Sequence, residues 1–242
     1  MIRRPDLRIP DAMIFDMDGT LFDTEKLGIE CWTETFQTLG ILMPQEAILK
    51  TVGCDPSEKF RIFLAHASSP TPSTVSPEVV TKTWKTLFQS RLQSRGVPVK
   101  AGVRTLLRLL QGLGIPTAVA TSSPRALATL LLQASDLQKA FDVVITCEDA
   151  PSPKPAPDLY LEAVRRLDIE PSSAWAVEDS IQGLRSAAAA GIPVLHVPDL
   201  QPIDASQLEF AWRRFESLEE VAQYLRMLTG QLPPVRNVAL TA

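Results

Sequence analysis

The stretch Met13 to Thr24, MIFDMDGTLFDT, is an apolar run that stops at two aspartates one residue apart and is followed by a glycine. Two like charges this close repel, which raises their pKa values unless an opposite charge shares the site. The run that precedes them, Ala12 to Phe15, is continuously apolar rather than alternating, the pattern of a parallel strand covered on both faces. Working outward, four more runs have the same character: Thr117 to Ala120, Val143 to Ile145, Ala174 to Val177 and Ile192 to Val197. Helical spacing lies between them, in Val103, Leu106, Leu107, Leu110 and Leu113, and in Ile181, Leu184 and Ala188 ahead of Gly191. Strand and helix in alternation predict an α/β fold, a doubly wound, Rossmann-like parallel sheet.

Residues 24–97 break the alternation. Cys31, Trp32, Phe36 and Leu39 fit one helix face, Ile48 and Val52 another, and Val80, Trp84, Leu87 and Phe88 a third. No strand pattern separates them, so the expectation is an inserted all-α domain. The expected division is a core of 1–23 and 98–228, a helical insert of 24–97 and a C-terminal tail of 229–242. Within the insert, Ala67 to Pro77 reads as a Pro- and Ser-rich loop. Near the end of the chain, Ser217 with Glu220 has the form of a capping box that opens a helix.

Composition narrows the function classes. The 242 residues are 45% hydrophobic and 21% charged with a net charge of -4, an ordinary globular balance. There is no basic field for nucleic acid or an anionic membrane, and no run approaches the ~20 apolar residues of a membrane span. Cys31, Cys54 and Cys147 are odd in number and dispersed, which predicts free thiols in a reducing compartment and a cytoplasmic location. The basic MIRRPDLRIP start has no apolar stretch behind it. A monomer or weak homodimer is expected.

In open α/β sheets the functional crevice lies beyond the carboxyl ends of the strands. The residues that follow the runs are Asp16 and Asp18, then Thr121, Ser122 and Ser123, then Cys147, Glu148 and Asp149, then Glu178, Asp179 and Ser180. So many acids at one edge call for a hard cation, and magnesium takes one or two carboxylates plus phosphate oxygens. A carboxylate can attack phosphorus while a second acid moves a proton, which fits Asp16 and Asp18. Lys154, in PSPKPAPD, is placed to neutralise a phosphoryl oxygen, and Thr121 with the amides before Pro124 forms an anion-binding turn. The bland alternative for Asp16 and Asp18 is an acidic turn at a strand end.

Together, FDMDGTLFDTE, VATSS, KPAPD and VEDSIQG resemble, in content and order, the haloacid dehalogenase-like hydrolases with a helical cap inserted after the first motif. The resemblance implies Asp16 as nucleophile and Asp18 as general acid and base. It also implies Thr121, Ser122 and Lys154 as phosphate ligands. Magnesium would be held by Asp16, Asp18 through its carbonyl, and Asp179 beside Glu178. Glu25 and Arg125 are candidate substrate contacts, and the partner is a small phosphorylated compound. The second acid favours phosphatases over dehalogenases. A β-phosphoglucomutase-like mutase is the alternative, but Gly28 stands where mutases carry a histidine and Gly53 to Pro56, GCDP, where they carry a basic loop. A binding or regulatory protein on the same scaffold is the third reading. His66 and His196 read as structural.

Overall fold

The structure, a computed structural model, describes residues 8–52, 56–68, 76–200 and 203–231, with the backbone alone for 56–58. Cys54, most of GCDP and most of the Ala67 to Pro77 loop lie outside the described residues, as do the start of the chain and all but the first residues of the tail. The chain forms two compact units, Met1–Leu21 with Val99–Ala242, and Phe22–Pro98.

The first unit is built on six parallel strands, β1 (Ala12–Phe15), β2 (Thr117–Ala120), β3 (Val143–Ile145), β4 (Ala174–Glu178), β5 (Val194–His196) and β6 (Arg213–Arg214). Their order is β3-β2-β1-β4-β5-β6, every pairing is parallel, and the crossover falls beside β1. This is a doubly wound α/β sheet with a topological switch point between β1 and β4. The first three strands keep the bounds read from their apolar runs. β4 runs one residue further because its last member, Glu178, is a fully buried charge. β5 is shorter than its run, and β6 has no apolar run of its own.

Strand alternation then assigns the faces. Ile14, Ala118, Ala176 and Val194 pack in one cluster with Leu159, Tyr160 and Ala163 and with Leu184 and Ala187. Those partners come from helices Asp158–Leu167 and Ile181–Ala189. On the opposite face Trp175 stacks on Tyr224, 6.0 Å between ring centroids, in the helix Leu218–Leu228. That helix opens on Ser217, whose hydroxyl accepts from the Glu220 amide, the expected N-cap.

The second unit contains helices α1 (Thr24–Thr38), α2 (Gln45–Leu49), α3 (Pro56–His66) and α4 (Pro77–Arg95), with one isolated antiparallel bridge, Leu42 to Ser68. Its core is aromatic. Trp32 lies 5.1 Å from Trp84 and 4.9 Å from Phe63, and Trp84 lies 4.8 Å from Phe88. His66 sits at the end of α3, its Nδ1 2.9 Å from the Ile62 carbonyl, and His196 is buried in β5, where burial lowers its pKa. Among the described residues no helix is long and apolar enough to cross a membrane.

Candidate active site

The four polar sets expected at strand ends do lie at strand ends, and two of them converge on β1 and β4, which are neighbours. Asp16 leaves β1 with its amide bonded to the Val177 carbonyl at 3.0 Å, which fixes it against the end of β4. There Glu178 closes β4 and Asp179 follows. Asp16, Glu178 and Asp179 each offer a carboxylate oxygen within 4.8 Å of the others.

One lysine answers for this charge. Lys154 donates to Asp16 Oδ1 at 2.5 Å and to Glu178 Oε1 at 2.6 Å, its side chain 6% exposed. Burial alone would discharge its ammonium, but Asp16 and Glu178 outweigh burial and keep it protonated. Among the described residues one cation thus contacts a group of three acids, Asp16 and Glu178 buried and Asp179 half-buried, which leaves negative charge in excess. The Asp16 carboxyl is accordingly raised well above the usual range, by burial first and by Glu178 and Asp18 in addition, with Lys154 opposing. Asp179 is raised as well, by burial and then by Asp16, Glu178 and Asp199.

Neighbouring groups orient each acid. Glu178 Oε1 also accepts from the Tyr160 hydroxyl at 2.7 Å, and its Oε2 from the Asp179 amide and the Ser180 hydroxyl, both at 3.2 Å. Gly183 leaves room for that carboxylate, since a Cβ there would collide with it. Asp179 Oδ1 accepts from Thr20 Oγ1 at 3.1 Å. Its carboxylate fills the space beside Gly19, where a φ of +90° and the closeness of Asp179 both require glycine.

Asp18 accepts from Ser123 Oγ at 2.7 Å, a bond that ties it to the turn after β2. In that turn Thr121 is buried and its Oγ1 accepts from the Ser123 amide at 3.0 Å, while Ser122 is exposed. Arg125 is engaged elsewhere: its guanidinium donates to Asp149, which also accepts from Arg166 at 2.8 Å. Glu25 belongs to the first turn of α1 in the helical unit. Sequence reasoning did not find the roles of Ser123, Thr20 and Tyr160 as partners of Asp18, Asp179 and Glu178. Of these, Ser123 stands within VATSS and Thr20 within FDMDGTLFDTE, while Tyr160 lies outside the motifs read from the sequence.

An oxygen-only donor set with surplus negative charge, buried and close-packed, suits a hard divalent cation. These residues fit magnesium on that chemistry.

The sequence pattern of the family described as "Haloacid dehalogenase-like hydrolase" matches residues 13–197, and the chain belongs to that family. It is 32% identical over 197 residues to Protein CbbY of Cereibacter sphaeroides, covering 78% of this chain and 84% of that one. It is 30% identical over 182 residues to the Phosphorylated carbohydrates phosphatase of Thermotoga maritima, covering 75% and 82% respectively. Among solved structures, a CbbY variant from Rhodobacter sphaeroides in complex with xylulose-(1,5)bisphosphate superposes with a TM-score of 0.72 at 27% identity, over 88% of this chain and 96% of that one. The fold and the family agree: this is a hydrolase of the branch that includes named carbohydrate phosphatases.

Proposed function

We propose that the protein is a magnesium-dependent phosphatase that hydrolyses a small phosphomonoester, a sugar phosphate or a nucleotide, through an aspartyl phosphate. The observation that carries this reading is the cluster of Asp16, Glu178 and Asp179 with Lys154 between two of them. Magnesium would be held by Asp16 and Asp179, beside Glu178 and with the Asp18 carbonyl. It would supply the positive charge that Lys154 alone cannot.

An Asp16 carboxylate oxygen attacks phosphorus, and the bond from phosphorus to the ester oxygen breaks. Asp18, protonated, delivers its proton to the departing alkoxide. Asp18 then takes a proton from water, the hydroxide attacks the same phosphorus, and the bond to Asp16 breaks to release inorganic phosphate. Ser123 holds Asp18 in register for both transfers. Lys154, Thr121 and the Ser122 and Ser123 turn bind the phosphoryl oxygens. The helical unit acts as the cap that selects the leaving group, with Glu25 a candidate contact there. The named substrates of the relatives support a phosphorylated carbohydrate.

Asp16→Asn should lower phosphate release by at least about 10³-fold while circular dichroism and thermal midpoint stay near wild type. Full turnover in that variant would end the covalent reading. The mutase alternative is less well supported, because Gly28 leaves only a backbone carbonyl, bonded to Trp84 Nε1 at 3.3 Å, where a mutase has histidine. Incubation with a hexose phosphate separates the two: a phosphatase liberates inorganic phosphate, and a mutase conserves organic phosphate.

A further inference from the structure

β4 lies between β1 and β5, so Asp179, the first residue beyond β4, is flanked by the loops that leave those two strands. From the β1 side Thr20 grips its carboxylate. On the β5 side His196 pairs with Glu178, the Val197 amide bonds to the Glu178 carbonyl at 2.8 Å, and Asp199 follows two residues later. Lys100 joins the two loops. Its amide bonds to the Leu21 carbonyl at 2.9 Å, next to Thr20, and its Nζ donates to Asp199 Oδ1 at 2.6 Å. The Lys100 and Asp199 side chains are 15% and 7% exposed, so this is a largely buried pair that spans the end of β4.

We propose that Lys100 and Asp199 are positioning residues that set the divalent-cation affinity of the Asp16 and Asp179 site. The inference rests on the reading of that site as a cation site. Asp199 is tied through Lys100 to the loop that carries Thr20, and Thr20 in turn holds the Asp179 carboxylate, so the pair and the proposed cation ligand share one rim. A carboxylate at this place draws a cation in, and the lysine beside it offsets that pull and fixes where the carboxylate stands. In water two such charges would be screened, but within a buried rim they are not. A pair that only braced the fold would affect stability and nothing else. A pair that tunes the site must shift affinity in opposite directions when each member is neutralised.

The test is titration of the full-length protein with magnesium chloride by calorimetry, without substrate. Asp199→Asn should weaken magnesium binding about ten-fold, because it removes a negative charge beside the site and keeps the Lys100 ammonium there. Lys100→Met should tighten it, and the double variant, with no net charge change, should return close to wild type. If Lys100→Met does not fold, weakening in Asp199→Asn with restoration in the double variant still supports the proposal. Equal affinities in all folded variants, or shifts of one sign, would overturn it. Asp179→Asn separates the two levels: loss of binding there with indifference to Lys100 and Asp199 removes only this inference. A wild-type protein that binds no magnesium removes the cation site and this inference together.

Discussion

The two units of the chain are held together by opposite means. In the Phe22–Pro98 unit the buried centre joins the rings of Trp32, Phe36 and Phe63 to aliphatic Ile41, Ile48 and Val80, and the ion pairs Arg91 to Glu34 and Arg95 to Glu30 lie on partly or well-exposed side chains. In the sheet unit the strand ends bury Asp16, Glu178 and Lys154, an arrangement that costs desolvation free energy before it does anything useful. The lesson is that the helical unit is built for packing and the sheet unit accepts a desolvation cost at one rim. Substitutions should therefore separate stability from chemistry differently in each.

Lys154→Met should give the largest effect of this kind. It removes the only ammonium that contacts Asp16 and Glu178 among the described residues, and so leaves buried acids with less compensation. The expected result is a loss of about 3 to 5 kcal/mol in urea unfolding, with kcat for phosphate release down about 10² to 10³-fold. A variant as stable as wild type would show that the rim does not rely on this lysine, and the contrast between the units would weaken.

Trp32→Ala should be comparable in stability and silent at the rim. Removing a ring that contacts Trp84, Phe36 and Phe63 opens a cavity worth about 3 to 5 kcal/mol. Magnesium affinity, measured by calorimetry in the folded variant, should stay at the wild-type value. A change in that affinity would mean that the helical unit takes part in the cation site.

The difference also governs what the sequence reveals. β1 and β2 are legible because a strand buried on both faces writes a continuous apolar run, β3 keeps such a run although it is half-buried at the sheet edge, and the acids are legible because they follow those runs. β6 is not, since its two residues are Arg213 and Arg214, and its place in the sheet follows from pairing with β5 and from flanking Trp212 and Phe215. α3 is only half legible, because Phe60 and Phe63 show one turn of an apolar face. At the site, the bonds from Ser123 to Asp18, Thr20 to Asp179 and Lys100 to Asp199 join residues 105, 159 and 99 positions apart. Periodicity cannot encode such pairs. They exist because the strand order brings three loop ends side by side, and that order is a tertiary fact.

The smallest expected effect is chemical rather than energetic, and it sets one thiol from each unit against the other. Cys31 is fully buried in α1, and burial, with Glu34 adding, pushes its thiol up to about 11. Cys147 is exposed on the loop after β3, and its thiol is also raised, by burial and Glu148. Alkylation requires the thiolate and an open path to it. Iodoacetamide at about pH 8 should label Cys147 slowly and spare Cys31 in the folded protein, and label both in urea, as read by peptide mass mapping. Native labelling of Cys31 at the rate of Cys147 would mean that the aromatic unit opens readily, and that its ring stack is not the closed core described above. Protection of both would instead place Cys147 under cover. Because no catalytic group is touched, phosphate release by the labelled protein should stay near its starting value, so the thiols report packing alone.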